Sequence, residues 1–195
     1  ISSNTATEKN SGRGANAGGG GIRIEAGNTA VISGGSIINN ACLGNMFGGG
    51  GIYVNGDDAE EKKLGIRAGR LELTNVLISG NEGGAGVAVC EDGDMKVYLT
   101  DGGIIHGNTS GSRPCDLYAA SYDNAHGSTA GPVQKKGELY VSRYMLGDGA
   151  YLWRDCSSNE LVTSGDLRSH IRGINVYSSA EKITGEDRIQ VRITG

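Results

Sequence analysis

Proline is almost missing from this chain, with 2 in 195 residues against 35 glycines. A flexible low-complexity linker is normally rich in both, so these glycines punctuate structure rather than loosen it. Aromatics are scarce as well, at 5%, and the apolar content rests on Ile, Val and Leu in short alternating runs, which is a strand vocabulary. Long amphipathic helices are not visible, and no run approaches the roughly 18 apolar residues a membrane helix needs. A basic excess is lacking too: the net charge is −4 and the pI about 5.4, which removes the electrostatic footprint of a nucleic-acid binder. The four cysteines, Cys42, Cys90, Cys115 and Cys156, show no Cys-x-x-Cys spacing, so metal-site and thioredoxin-type chemistry lose their usual support. Disulfides and small buried apolar residues stay equally open for them. The chain opens at Ile1 without Met, charged leader or cleavage signal, and is expected to be a soluble piece of a longer protein.

What is present is an internal repeat. Ile-x-x-Asn recurs at Ile1–Asn4, Ile37–Asn40, Ile78–Asn81 and Ile105–Asn108. It alternates with a glycine cluster that leads into a short strand, as in Gly20-Gly21-Ile22-Arg23-Ile24, Gly50-Gly51-Ile52-Tyr53-Val54 and Ala85-Gly86-Val87-Ala88-Val89. Between the two signals lies a further alternating segment, read as Ala30-Val31-Ile32, Leu71-Glu72-Leu73 and Val97-Tyr98-Leu99. Each period therefore holds three strands, each too short to form a sheet alone. Pairing with the equivalent strand of the next period satisfies their backbone groups and builds three parallel sheets around one core. The predicted fold is all-β, a right-handed parallel β-helix with three short strands per coil. Alternation sends Ile22, Ile24, Ile52, Val54, Val87 and Val89 inward and turns Arg23, Tyr53, Ala88, Glu72 and Tyr98 outward. Glycine permits close approach and positive φ at one corner. The asparagines suit the opposite corner through their tolerance of the left-handed region, and stacked copies can form a ladder inside the coil.

Glycine-led strands alternating with hydrophobic-x-x-Asn resemble the repeat of the chlamydial polymorphic outer membrane proteins and related bacterial surface proteins. The resemblance covers roughly residues 1–118 and implies an extracellular, adhesin-like role on a parallel β-helix. Because Ile1–Asn4 matches the third strand of a coil, the chain is expected to begin mid-coil and to continue into further coils of a longer parent. Residues 1–118 read as regular coils. Residues 119–195 read as irregular final coils or a β cap of the same domain, which an open coil end needs against aggregation.

No catalytic, cofactor-binding or metal residue is assigned. Parallel β-helices do host polysaccharide lyases and glycoside hydrolases, but paired carboxylates would have to project from adjacent coils, and only Glu72 is a clear outward strand carboxylate. Glu91-Asp92-Gly93-Asp94 and Asp57-Asp58 offer oxygen ligands for Ca²⁺ without a recognised Ca²⁺ spacing, and read as acidic turns. His106, His126 and His170 lie far apart in sequence. Trp153, Tyr151, Tyr140 and Tyr144 are the candidate ligand contacts, since clustered aromatics stack on sugars or anchor protein partners, although a cap core uses large side chains too. The expected function is a non-catalytic extracellular module whose loops, notably 7–19, 55–69 and 119–137, present contacts to a host or matrix glycan or protein. A lyase or hydrolase fragment and a purely structural spacer are the alternatives.

Overall fold

Successive periods of the repeat contribute one strand each to three parallel sheets. The computed structural model describes residues 1–7, 18–43, 49–57, 59–89, 93–99, 104–119, 136–142, 151–155, 173–178 and 188–192. The first sheet pairs Ile22–Ile24, Ile52–Val54, Val87–Val89 and Leu117–Ala119 in order, all parallel. The middle sheet pairs Thr29–Ser33, Arg70–Thr74, Asp94–Leu99 and Lys136–Ser142, and the third pairs Ser36–Ile38, Leu77–Ser79 and Ile104–His106. The architecture is all-β with parallel sheets, and one short helix, Ala59–Lys63, sits among the described residues.

Register converts the sequence alternation into stacked apolar columns. Ile22, Ile52, Val87 and Leu117 form one column, and Ile37, Ile78 and Ile105 another. Ala30, Leu71 and Met95 follow each other in the middle sheet, as do Ile32, Leu73 and Val97. These residues belong to one continuous core, fully buried in the middle periods and only partly covered at Ile22, Ala30 and Ile32 in the first. β-branched side chains suit such columns, because each is held on both sides by the same shape.

The middle column corrects one alignment. Val97 stands beside Leu73, and Met95 beside Leu71, so the third copy of the middle strand begins two residues earlier than Val97-Tyr98-Leu99. Glu72 is consequently level with Lys96, and Tyr98 with Thr74. In sequence the Val-Tyr-Leu run is the stronger strand signal, since Met95 and Lys96 carry a weaker one.

Inside the corner between the third and first sheets runs the asparagine ladder. Asn4 donates from its backbone N and its Nδ2 to Asn40 Oδ1, at 3.1 and 3.0 Å. Asn40 does the same to Asn81 (3.0 and 2.9 Å) and Asn81 to Asn108 (3.0 and 2.8 Å). The second Nδ2 proton returns to the preceding period: Asn81 to Ile37 O at 2.9 Å and Asn108 to Ile78 O at 3.0 Å. Asn40, Asn81 and Asn108 are wholly buried, and this bonding meets the requirement that buried amides be paired. The left-handed residue is the one before each ladder asparagine: Ser3 (φ 56°), Asn39 (55°), Gly80 (64°) and Gly107 (65°). The ladder residue itself is free to extend toward the next period.

The glycine and asparagine motifs are steric partners. A Cβ placed on Gly21 would lie 3.1 Å from the Asn40 amide, one on Gly51 3.1 Å from the Asn81 amide, and one on Gly86 2.6 Å from the Asn108 amide. Two signals that alternate along the chain thus meet in space, each of these glycines against the ladder amide of its own period.

Beyond Lys136–Ser142, which still adds parallel to Asp94–Leu99, the parallel order ends. Gly173–Ser178 adds to Leu117–Ala119 in antiparallel sense and is itself paired by Tyr151–Asp155, while Arg188–Arg192 adds antiparallel to Lys136–Ser142. Both sheets so finish on antiparallel strands, which interrupts growth by parallel stacking.

Candidate functional site

Two outward surfaces carry polar chemistry. The first lies over the outer side of the first sheet. Arg23 sits with its guanidinium 5.4 Å from the centre of the Tyr53 ring and donates to Glu25, whose other oxygen accepts from Asn55 Nδ2 at 2.8 Å. Burial pushes the Glu25 carboxyl up, but the Arg23 hydrogen bond and charge, helped by Asn55, outweigh it and hold the acid below its ordinary value. Tyr53 and Ala88, expected to face solvent, are fully buried. They do point away from the core, but the glycine-rich lead-in folds back over them: a Cβ on Gly18 would lie 2.6 Å from the Tyr53 ring, and one on Gly49 2.8 Å from Ala88 N. Arg23, Glu25 and Asn55 thus bond one another beside a buried Tyr53 ring, with Glu25 left exposed to solvent.

The second surface is the outward face of the middle sheet, which sequence reasoning underestimated. Register aligns Thr29, Arg70, Asp94 and Lys136 in one row. The next row runs Val31, Glu72, Lys96, Glu138 and Arg192. The third runs Ser33, Thr74, Tyr98, Tyr140 and Gln190. From Arg70 onward in the first row and from Glu72 onward in the second, charge alternates from strand to strand, and within each strand Arg70, Asp94 and Lys136 are followed two residues later by the opposite sign. Opposite charges directly across a sheet stabilise modestly and like charges oppose, so this order of residue types suits the parallel register. Its signature is legible in Arg-Leu-Glu, Asp-Met-Lys and Lys-Gly-Glu, but only once the register is known. Next to the charged rows, Tyr98 and Tyr140 occupy adjacent positions on strands about 4.8 Å apart.

The candidate ligand contacts divide between sheets. Tyr140 falls in the tyrosine row. Trp153 and Tyr151 lie on the outermost strand of the first sheet, level with Val176 and Ser178, on the face that Ile174 shares with Leu117. Tyr144 lies outside the described residues, as do Asp58, Glu91, Asp92, His126, His170, Cys90 and Cys156. Asp57 is buried and ion-paired with Lys62 at 3.3 Å. Of the three proposed presenting loops, residues 8–17 and 120–135 are likewise outside the described set, whereas 55–69 holds the helix Ala59–Lys63, with acids in its first turn, bases in its last and Lys63 paired to Glu60 at 2.6 Å.

Cys42 and Cys115 are buried. His106 is half-buried at the end of a third-sheet strand, and burial lowers its pKa. Among the described residues no three His, Cys, Asp or Glu side chains gather as a metal site, and no helix is long and apolar enough to cross a membrane. In comparisons with protein-family models, with curated proteins and with solved structures, nothing matches this chain.

Proposed function

We propose that the chain is a right-handed parallel β-helix serving as a non-catalytic binding module of a bacterial surface protein, and that it takes an extracellular glycan or protein. Parallel strands joined by crossovers follow the right-handed sense almost without exception, which supports the handedness. The surface location rests on the resemblance of the repeats. The observation that carries the binding role is the register of the middle sheet, which sets Tyr98 and Tyr140 level on neighbouring strands beside two rows of alternating charge type. Paired tyrosines offer stacking area at small entropic cost, and a surround of alternating charge type holds no polyanion or polycation by field alone. A glycan array and a host-protein pull-down with the intact chain test the role. Binding that falls at least tenfold in Tyr98→Ala and Tyr140→Ala supports it. No signal above background in either assay leaves the spacer reading in its place.

One observation favours a second reading. Glu72 and Glu138 lie on the same row with the Lys96 position between them, two strands or roughly 10 Å apart, close to the upper separation of acid–base carboxylate pairs. A polysaccharide lyase or hydrolase would use them. Cleavage of a uronate or neutral glycan that disappears in Glu72→Gln and in Glu138→Gln, or in Asp94→Asn, would establish it over binding alone.

A further inference from the structure

We infer that Asp116 is the residue that ends the repeat stack, acting as an acceptor-only terminator of the asparagine ladder. Every ladder asparagine donates two hydrogen bonds toward the following period, so the last one needs an acceptor where no further asparagine follows. Asn108 finds it in Asp116, donating from its backbone N at 2.9 Å and its Nδ2 at 2.8 Å to the same oxygen, Oδ1. The geometry repeats what Asn81 does to Asn108. Asp116 is nonetheless not in an asparagine position. Leu117 is level with Val87, so Asp116 is level with Gly86, and through the same column with Gly51 and Gly21. In those periods the position is glycine because a Cβ would strike the ladder amide of its own period. In the fourth period a first strand, Leu117–Ala119, and a middle strand, Lys136–Ser142, are present, but among the described residues nothing pairs beyond Ile104–His106 to supply a third strand and its asparagine. The space that glycine elsewhere leaves for an amide is filled by the side chain of the residue in the glycine position.

The choice of a carboxylate has a physical reason. Each ladder asparagine directs its backbone N–H and one Nδ2–H toward the following period and its Oδ1 toward the preceding one, so the chain of amides ends on donors at Asn108. A negative, acceptor-only group is the best partner for that end, and its bonds are charge-assisted. An amide in its place would bring donors of its own into a site, 1% exposed in the case of Asp116, where two donors already converge. The apparent decay of the glycine motif at Cys115-Asp116 is therefore a stop signal written in the same register as the repeat.

Hydrogen exchange of the Asn108 backbone and side-chain amides, followed by NMR in the intact chain, tests the assignment. Asn108 is expected to exchange as slowly as Asn81 although it is the last asparagine of the ladder, and far more slowly than exposed Asn28. In Asp116→Gly, which restores the repeat pattern but removes the acceptor, its exchange is expected to quicken at least tenfold while Asn40 is unchanged. Asp116→Asn is expected to fall between, since one amide oxygen still accepts. Exchange at Asn108 as fast as at Asn28 in the unaltered protein, or unchanged protection in a folded Asp116→Gly variant, would overturn it.

Discussion

Asn81 shows how much a single side chain does in this molecule. Its oxygen accepts from Asn40, its amide donates to Asn108 and Ile37, and none of these groups is reached by water. Asn81→Ala would leave several buried groups unpaired, each at about 1–3 kcal/mol, so a loss of roughly 3–5 kcal/mol in urea-induced unfolding is expected. Asn81→Asp is nearly isosteric but turns a donor into a second acceptor facing Asn108, and should cost at least as much. His106 contributes a smaller, pH-linked effect. Burial lowers its pKa below the ordinary 6.5, so the folded chain binds the proton less readily than the unfolded one. Stability tied to neutral His106 is present above about pH 6.5 and lost as pH falls below it. His106→Gln should therefore lose less melting temperature than the unaltered chain on going from roughly pH 8 to pH 5. The ladder asparagines were legible in the sequence through their repetition. Their left-handed neighbours were not, because Ser3, Asn39, Gly80 and Gly107 share a backbone conformation and no single residue type.

At the scale of the elements, the coupling between glycine and asparagine accounts for why strands of three residues persist at all. A strand such as Ile52–Val54 has no independent stability and depends on the neighbouring strands and on Gly51 admitting the Asn81 amide. Gly51→Ala would set a Cβ 2.5 Å from Gly86 O, and a destabilisation of about 3 kcal/mol is expected from this overpacking. Gly34 has a positive φ (73°) but open space around it, so Gly34→Ala should cost only the backbone strain, about 1 kcal/mol. Chemical denaturation of the two variants side by side separates packing from conformation, and equal losses would count against the steric pairing. The first and third strands of each period were readable from their glycine and asparagine flags. The middle strand has no flag of its own, and its third copy was misplaced by two residues, which hid the alternating rows of Glu72, Lys96 and Glu138. Charge pairing across strands is a property of register, and register is set by neighbours that the linear sequence does not place.

For the whole molecule, a polar column of amides runs beside stacked aliphatic columns from the first period to the fourth, and the outward faces are left to vary. The aliphatic columns alone tolerate slippage by a period, because one Ile resembles the next. The ladder asparagines are equally alike, but slippage by a period would leave a buried amide without the acceptor that Asp116 supplies to Asn108. Among the described residues the first and third strands pair where the repeat sets them; Lys136–Ser142 still adds parallel, but the strands after it pair antiparallel, and no periodicity announced which would meet. Side-chain amide hydrogen exchange, measured by NMR for every asparagine in the chain, tests the stacked ladder most directly. Asn40 and Asn81 should exchange at least a hundredfold more slowly than Asn28, whose side chain bonds only the local Ala26 carbonyl at the surface. Equal, fast exchange at all of them would mean that the amides face water and would contradict a buried stack.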